Sequence, residues 1–223
     1  MLDVLSQMSA GWALVVGGSP EVSLTHVRES AEAASLVVAA DSGGAACLAA
    51  GVTPDVLVGD LDSIDPQVLA ELTQGGVEVA RHPEDKDETD LELALAEARS
   101  RGASEVLVTG VWGARADHSL AAVGALLAAA DLRPVVIESG FVGWVLSAPH
   151  RSRAVIEAPG STVSVFSLTP GSRARSEGLA WPLAGARLSV LAPLGVSNRV
   201  IEERAWVECE QGTLVVLVVS EDD

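Results

Sequence analysis

Gly59-Asp60-Leu61-Asp62-Ser63 is the stretch of this chain best equipped for chemistry. Two carboxylates stand two residues apart after Asp55-Val56-Leu57-Val58, an apolar run that reads as a short buried strand. Carboxylates held so close repel one another, and a cation between them removes the repulsion. Hard oxygen ligands suit Mg2+, which takes one or two carboxylates and completes its shell with substrate phosphates. A lone D-x-D also occurs in solvated turns, so the rest of the chain has to decide. Asp65-Pro66 shows the structural alternative, with Asp65 as a helix N-cap and Pro66 as its first helical residue. Asp60 and Asp62 carry no such duty.

More polar residues fall at comparable places. Asp41 follows the apolar run Leu36–Ala40, Asp87 and Asp90 lie in the polar stretch from His82 to Asp90, and Arg115, Asp117 and His118 follow Val106–Thr109. In open α/β sheets, ligands bind beyond the carboxyl ends of the strands, where all of these are expected. From Asp41 to Asp90 there are twelve Asp and Glu against only Arg81 and Lys86, so a phosphate site there needs a divalent cation as mediator. Lys86, the sole lysine, reads as a phosphate contact or as one member of a local ion-pair cluster. Arg115 can fork onto phosphate oxygens or brace its loop through Asp117. Thr89 fits a capping box with Glu92, alongside any functional role. His118 suits an acid, a base or a histidine that holds the turn. There is no G-x-S-x-G, no H-E-x-x-H and no Cys with a matching His, so covalent catalysis is not favoured.

Strand-like and helix-like segments alternate up to about residue 138. Expected strands are Trp12–Val16, Leu36–Ala40, Asp55–Val58, Val77–Ala80, Val106–Thr109 and Pro134–Glu138; expected helices include Ser23–Ala33, Pro66–Gln74 and about Ser119–Ala130. This alternation predicts an α/β fold, an N-terminal, mostly parallel, Rossmann-like three-layer domain. After about residue 150 short strand-like pieces separated by Gly and Pro take over: Ala154–Ile156, Thr162–Phe166, Arg187–Val190 and Leu214–Val219. They predict a small C-terminal all-β sandwich. The expected domains are 1–145 and 150–223, with a linker near 139–152.

At 48% hydrophobic residues the chain can bury a substantial core. A net charge of -17 repels phosphate backbones and anionic lipid, which argues against nucleic acid and membrane as partners. Cys47 and Cys209 have no metal-ligand spacing; they read as two reduced thiols of a cytoplasmic protein, with a single disulfide as the alternative. No apolar run approaches the ~20 residues of a membrane span.

Taken together, the motifs resemble the thiamine pyrophosphokinase (thiamine diphosphokinase) family. They are Asp41-Ser42-Gly43, Gly51-Val52-Thr53-Pro54-Asp55, Gly59–Ser63, Lys86-Asp87-Glu88-Thr89-Asp90, Gly113–His118, Gly178-Leu179-Ala180-Trp181-Pro182-Leu183 and Gly195-Val196-Ser197-Asn198. The resemblance implies Mg2+-dependent transfer of a pyrophosphoryl group from ATP to the hydroxyl of thiamine, giving thiamine diphosphate and AMP. It further implies an α/β domain followed by a β-sandwich, and a homodimer with sites at the subunit interface. By motif, Asp41, Asp60, Asp62 and Asp90 resemble the metal and phosphate-site carboxylates, with Asp60, Asp62, Asp90 and Arg115 in catalytic roles. Lys86, Asp87, Thr89, Arg115, Asp117 and His118 are similar to the ATP and phosphate contacts, and Ser197 and Asn198 to the thiamine contacts. Two alternatives on the same fold are a non-catalytic nucleotide-binding module and a pyrophosphokinase for another alcohol, such as a pterin. The chain departs from the family where Asn and Arg often follow the first aspartate: it has Ser42-Gly43-Gly44-Ala45-Ala46. Ala114 stands where Gly is usual, and Val111-Trp112 is bulkier than usual.

Overall fold

A computed structural model describes residues 4–113 and 115–219. Ala114 therefore lies outside the described residues. The chain divides into two compact units, one formed by residues 5–132 and 137–139, the other by residues 133–136 and 140–219 together with Val4.

The first unit alternates strand and helix as its periodicity predicts. In order it contains β1 (Ala13–Val16), α1 (Leu24–Ala33), β2 (Leu36–Ala40), α2 (Gly43–Ala49), β3 (Val56–Gly59), α3 (Pro66–Gln74), β4 (Glu78–Arg81), α4 (Asp90–Ser100), β5 (Val106–Thr109) and α5 (Ala116–Ala128). The strands run parallel in the order β5-β1-β2-β3-β4. Leu14 sits level with Val37 on one side and Leu107 on the other. Every residue of β1, β3 and β5 is buried, which is why these strands read as unbroken apolar runs rather than as alternating ones. Helix α4 packs across β1, β2 and β3.

Local signals set the helix starts. Ser23 Oγ accepts the His26 N–H, and Asp65 accepts the Gln67 N–H with Pro66 in the first turn. Thr89 and Glu92 form the expected reciprocal capping box. Helix α5 begins three residues before the expected Ser119. Asp117 and His118 are therefore helical rather than loop residues, and an acid in the first turn suits the positive end of the helix dipole.

Strand β6 (Val135–Glu138) is shared between the units, its last two residues belonging to the first. The second unit has β7 (Phe141–Ser147), β8 (Arg153–Ile156), β9 (Thr162–Ser167), β10 (Arg173–Glu177), β11 (Ala184–Arg187), β12 (Gly195–Arg199), β13 (Ala205–Gln211) and β14 (Thr213–Val219). There β12, β9, β14 and β7 pair antiparallel in that order, and so do β11, β10, β13 and β8. Two expectations change. The stretch read as a linker contains β7, with Trp144 only 1% exposed. The strand expected at Arg187–Val190 lies earlier, as β11, and Val190 makes only an isolated bridge to Ser167. Strands β10, β12 and β13 are too polar for an apolar-run reading. In β10 and β13 buried positions alternate with more exposed ones, so Ala174 and Ser176 sit between exposed residues and Val207 and Cys209 between half-buried or exposed ones, while β12 buries only Gly195 and Asn198.

No helix among the described residues is long and apolar enough to cross a membrane.

Candidate active site

The carboxyl ends of β1, β2, β3 and β5 give the loops that begin at Gly17, Asp41, Asp60 and Gly110. Close backbone approach at this edge depends on glycine. A Cβ on Gly17 would lie 2.5 Å from the Gly110 carbonyl oxygen, and a Cβ on Gly43 would collide with that of Val16. The result is a cleft of about 510 Å3, lined among others by Gly18, Asp41, Ser63, Thr89, Asp90 and Trp112. That volume is in the range of small-ligand sites. A second depression, beside α1 and the end of α2, has a single carboxylate, Glu32, in its lining, and its Arg28 is committed to the Ala50 carbonyl.

Asp41, Asp60 and Asp62 converge beside this cleft, and one carboxylate oxygen of each lies within 4.8 Å of the others. The backbone is bent to achieve this. Asp41 has φ +46° and Leu61, between the two other aspartates, has φ +67°, a left-handed conformation that costs a non-glycine residue of order 1–3 kcal/mol. Leu61 is buried, and the turn around it places Asp60 and Asp62 together. Asp41 is 7% exposed, and its Oδ1 is buried without a hydrogen-bond partner. Burial pushes the Asp41 carboxyl above its usual range; the Ser42 N–H opposes this, while Asp90, Asp60 and Asp62 add to it. Three crowded carboxylates, one with a buried and unsatisfied oxygen, fit a divalent cation with oxygen ligands.

Asp90 stands one step outside this trio. Its Oδ1 accepts from Lys86 Nζ at 2.9 Å, and the same ammonium donates to Asp60 Oδ2 at 2.7 Å. Lys86, expected as a phosphate contact, thus ties β3's loop to the start of α4. The Lys86 hydrogen bond, followed by that from the Asp62 N–H, holds the Asp60 carboxyl below its usual range. Burial works against the Lys86 charge, but its bonds to Asp60 and Asp90 outweigh it and raise the ammonium pKa. Gly59 lies close to both remaining acids: a Cβ there would be 3.1 Å from Asp90 Oδ1 and 3.2 Å from the Asp41 Cβ.

The other expected residues are distributed unevenly. Thr89, Arg115 and His118 line the cleft. Asp117 does not; it forms a two-point fork with Arg115 at 3.2 and 2.6 Å, both side chains being exposed. That fork is the bracing arrangement rather than a free phosphate contact. Asp87 is exposed and does not line the cleft. Arg81, not anticipated, donates to the Asp60 carbonyl at 3.3 Å.

In the second unit Ser197 is exposed, with its N–H on Ser164 Oγ, while Asn198 is 4% exposed. The Asn198 amide accepts the Trp181 N–H at 3.1 Å and donates to the Trp181 carbonyl at 2.6 Å. Its Oδ1 also accepts the Arg199 N–H. Asn198 thus clamps a loop on which Trp181 remains 66% exposed.

Residues 27–137 match the thiamin pyrophosphokinase catalytic domain, and residues 152–214 match the vitamin B1 binding domain of the same family. The chain belongs to the thiamin pyrophosphokinase family. Thiamine pyrophosphokinase 1 of Arabidopsis thaliana is 28% identical over 170 residues, 72% of this chain and 64% of that protein. The matched region therefore spans just under two thirds of the length of this plant relative. Thiamine pyrophosphokinase of Bacillus subtilis (strain 168) is 30% identical over 106 residues, 48% of this chain and 50% of that one. Among solved structures, the Bacillus subtilis enzyme superposes with a TM-score of 0.79 at 22% identity, over 95% of this chain and 100% of that one. Thiamin pyrophosphokinase from Geobacillus thermodenitrificans gives 0.78 at 25%, over 95% and 98%.

Sequence reasoning missed the supports of the site. Glu138 accepts the Val111 and Trp112 N–H groups, and Ser19 Oγ donates to the Trp112 carbonyl. A charged residue closing the apolar run Val135-Val136-Ile137 was the available signal for Glu138. Ser19, 93 residues from its partner, offered none.

Proposed function

We propose that this chain is a thiamine pyrophosphokinase, transferring a pyrophosphoryl group from ATP to the hydroxyl of thiamine to give thiamine diphosphate and AMP. The observation that carries the proposal is the convergence of Asp41, Asp60 and Asp62 around an unsatisfied buried oxygen in a chain of this family. Asp41, Asp60 and Asp62 would hold Mg2+, with Asp90 close behind. Such an ion neutralises phosphate charge and stabilises the charge that develops in transfer. The alcohol oxygen attacks the β-phosphorus in line, the bond from that phosphorus to the α,β-bridging oxygen breaks, AMP leaves with its electron pair, and the alcohol proton passes to a carboxylate of the site. Transfer of this kind rests on positioning and charge neutralisation. Lys86 keeps Asp60 and Asp90 in register and supplies positive charge; Arg115, oriented by Asp117, supplies more from the start of α5. Thr89 and His118 stand on the cleft wall, within reach of a nucleotide's polar groups, and Asp87 belongs to the same loop.

On this reading residues 1–145 serve ATP and metal, and residues 150–223 serve thiamine and subunit contact. Ser197 and the Asn198-held Trp181 offer a polar group and an aromatic face to thiamine, whose thiazolium is a cation suited to such a face. A homodimer is supported by the apolar residues exposed in the second unit, among them Leu191, Leu194 and Ile201. Buried free thiols at Cys47 and Cys209 suit a reducing, cytoplasmic setting.

The test is AMP formation from ATP with and without thiamine, in Mg2+ and in EDTA. AMP that requires both thiamine and metal is expected. ATP binding without AMP formation would leave a non-catalytic module, and AMP formation with a pterin alcohol but not thiamine would change the substrate.

A further inference from the structure

One residue lining the cleft is aromatic, and its main chain is hydrogen-bonded from both sides. Trp112 lies in the loop between β5 and α5, lines the cleft and is 40% exposed. It is the only Trp, Phe or Tyr among the described residues lining the cleft, whose neighbouring walls include Gly17, Gly18, Ala121 and Ala122.

The main chain of Trp112 is pinned on both sides. Its N–H donates to Glu138 Oε1 at 3.2 Å, beside that of Val111 at 2.9 Å. Its carbonyl accepts Ser19 Oγ at 2.6 Å, so the loops after β1 and β5 are joined. Glycines flank Val111 and Trp112, Gly110 at φ +71° and Gly113 at φ +144°. A Cβ on Gly110 would lie 2.6 Å from the Gly17 oxygen, so the loop is seated directly on its neighbour. Glu138 is 6% exposed, and its commitment to backbone makes it a positioning residue for this loop.

A nucleoside triphosphate brings two chemically different ends to such a cleft. The carboxylates and their cation answer the phosphates. The base is flat and weakly polar, and a fixed aromatic face answers it best. We infer that Trp112 is the nucleobase wall of the cleft, with its indole stacking on the base of the bound nucleoside triphosphate. The inference rests on the nucleotide reading of the acidic trio and deepens it. Stacking area grows with the ring, so this wall also favours purine over pyrimidine triphosphates.

The experiment is calorimetric titration of the full chain in Mg2+ with ATP, CTP and inorganic tripolyphosphate, for wild type, Trp112→Ala and Trp112→Phe. Folding of each variant is checked by circular dichroism. Trp112→Ala should weaken ATP by about tenfold, the scale of one base–aromatic stack, and leave tripolyphosphate within about twofold. Trp112→Phe should regain most of the loss, and the ATP-over-CTP preference should shrink in Trp112→Ala. If ATP binds Trp112→Ala as it binds wild type, the inference is wrong while the nucleotide reading survives. Equal losses of ATP and tripolyphosphate in both variants would make Trp112 a structural residue and overturn it. Failure of wild type to bind either ATP or tripolyphosphate would overturn the nucleotide reading, and this inference with it.

Discussion

The acidic loops after β2 and β3 and the Trp181 loop use polar side chains in opposite ways. In the former, carboxylates are crowded at left-handed turns and Asp41 keeps a buried oxygen with no partner. In the latter, Asn198 is buried and satisfied by three backbone bonds, while an indole is left in solvent. An unsatisfied buried charge is expensive and persists where a ligand of opposite charge completes it. A satisfied buried amide holds the chain in place and lets a neighbouring group meet the ligand. The contrast separates residues that touch from residues that position.

The largest effect tests the touching side. Asp62 is exposed and its carboxylate accepts from the adjacent Ser63 hydroxyl, a local bond, so Asp62→Asn should keep the fold. Turnover should fall by roughly a hundredfold or more, the usual loss when one charge-stabilising group is removed. Steady-state AMP release and thermal melts read the two quantities, and near-normal turnover would dissolve the contrast.

Glu138 falls between the cases, being buried yet bonded to backbone. Burial pushes its carboxyl from 4.5 up to about 7, despite the Val111, Gly110 and Trp112 N–H groups that favour the anion. A group protonated more readily when folded contributes its stability fully below the unfolded value near 4.5 and loses it as pH rises through 7. The loss is on the order of 3 kcal/mol. Glu138→Gln should flatten that part of the slope between pH 4.5 and 7 in urea titrations. An unchanged slope would assign it to other groups.

Asn198→Ala sharpens the positioning side. Losing the clamp should cost about 2 kcal/mol in denaturant unfolding, and KM for thiamine should rise while KM for ATP holds. A variant with altered stability but unaltered thiamine KM would leave Asn198 purely structural. The smallest effect belongs to Thr89, whose capping box is worth about 1 kcal/mol. Should Thr89→Ala also weaken ATP binding severalfold, Thr89 touches as well as caps.

Several elements were legible without coordinates. The runs that became β1, β2, β3 and β5 are apolar because both sheet faces are covered, and periodicity reads burial directly. The Thr89–Glu92 box and the Asp65-Pro66 start are local bonds between near neighbours, so spacing alone shows them. Strand β7 hid inside an expected linker, β10 and β13 hid behind polar alternation, and β12 is a mostly exposed polar strand. The D-x-D motif pointed to a metal, but not to which of its supporters would stand closest.

The sequence by itself determined the family, the alternation of strand and helix, and the identity of the acids at the strand ends, because these depend on residue type and short-range order. Tertiary structure alone decided that Asp41 would be buried with an open oxygen and that Lys86 would join Asp60 to Asp90. It also decided that Asn198 would hold Trp181, 17 residues away, and Glu138 the Trp112 loop, 26 away. Each of those outcomes depends on which distant backbone groups arrive beside a side chain, and that is fixed only when the sheets pair.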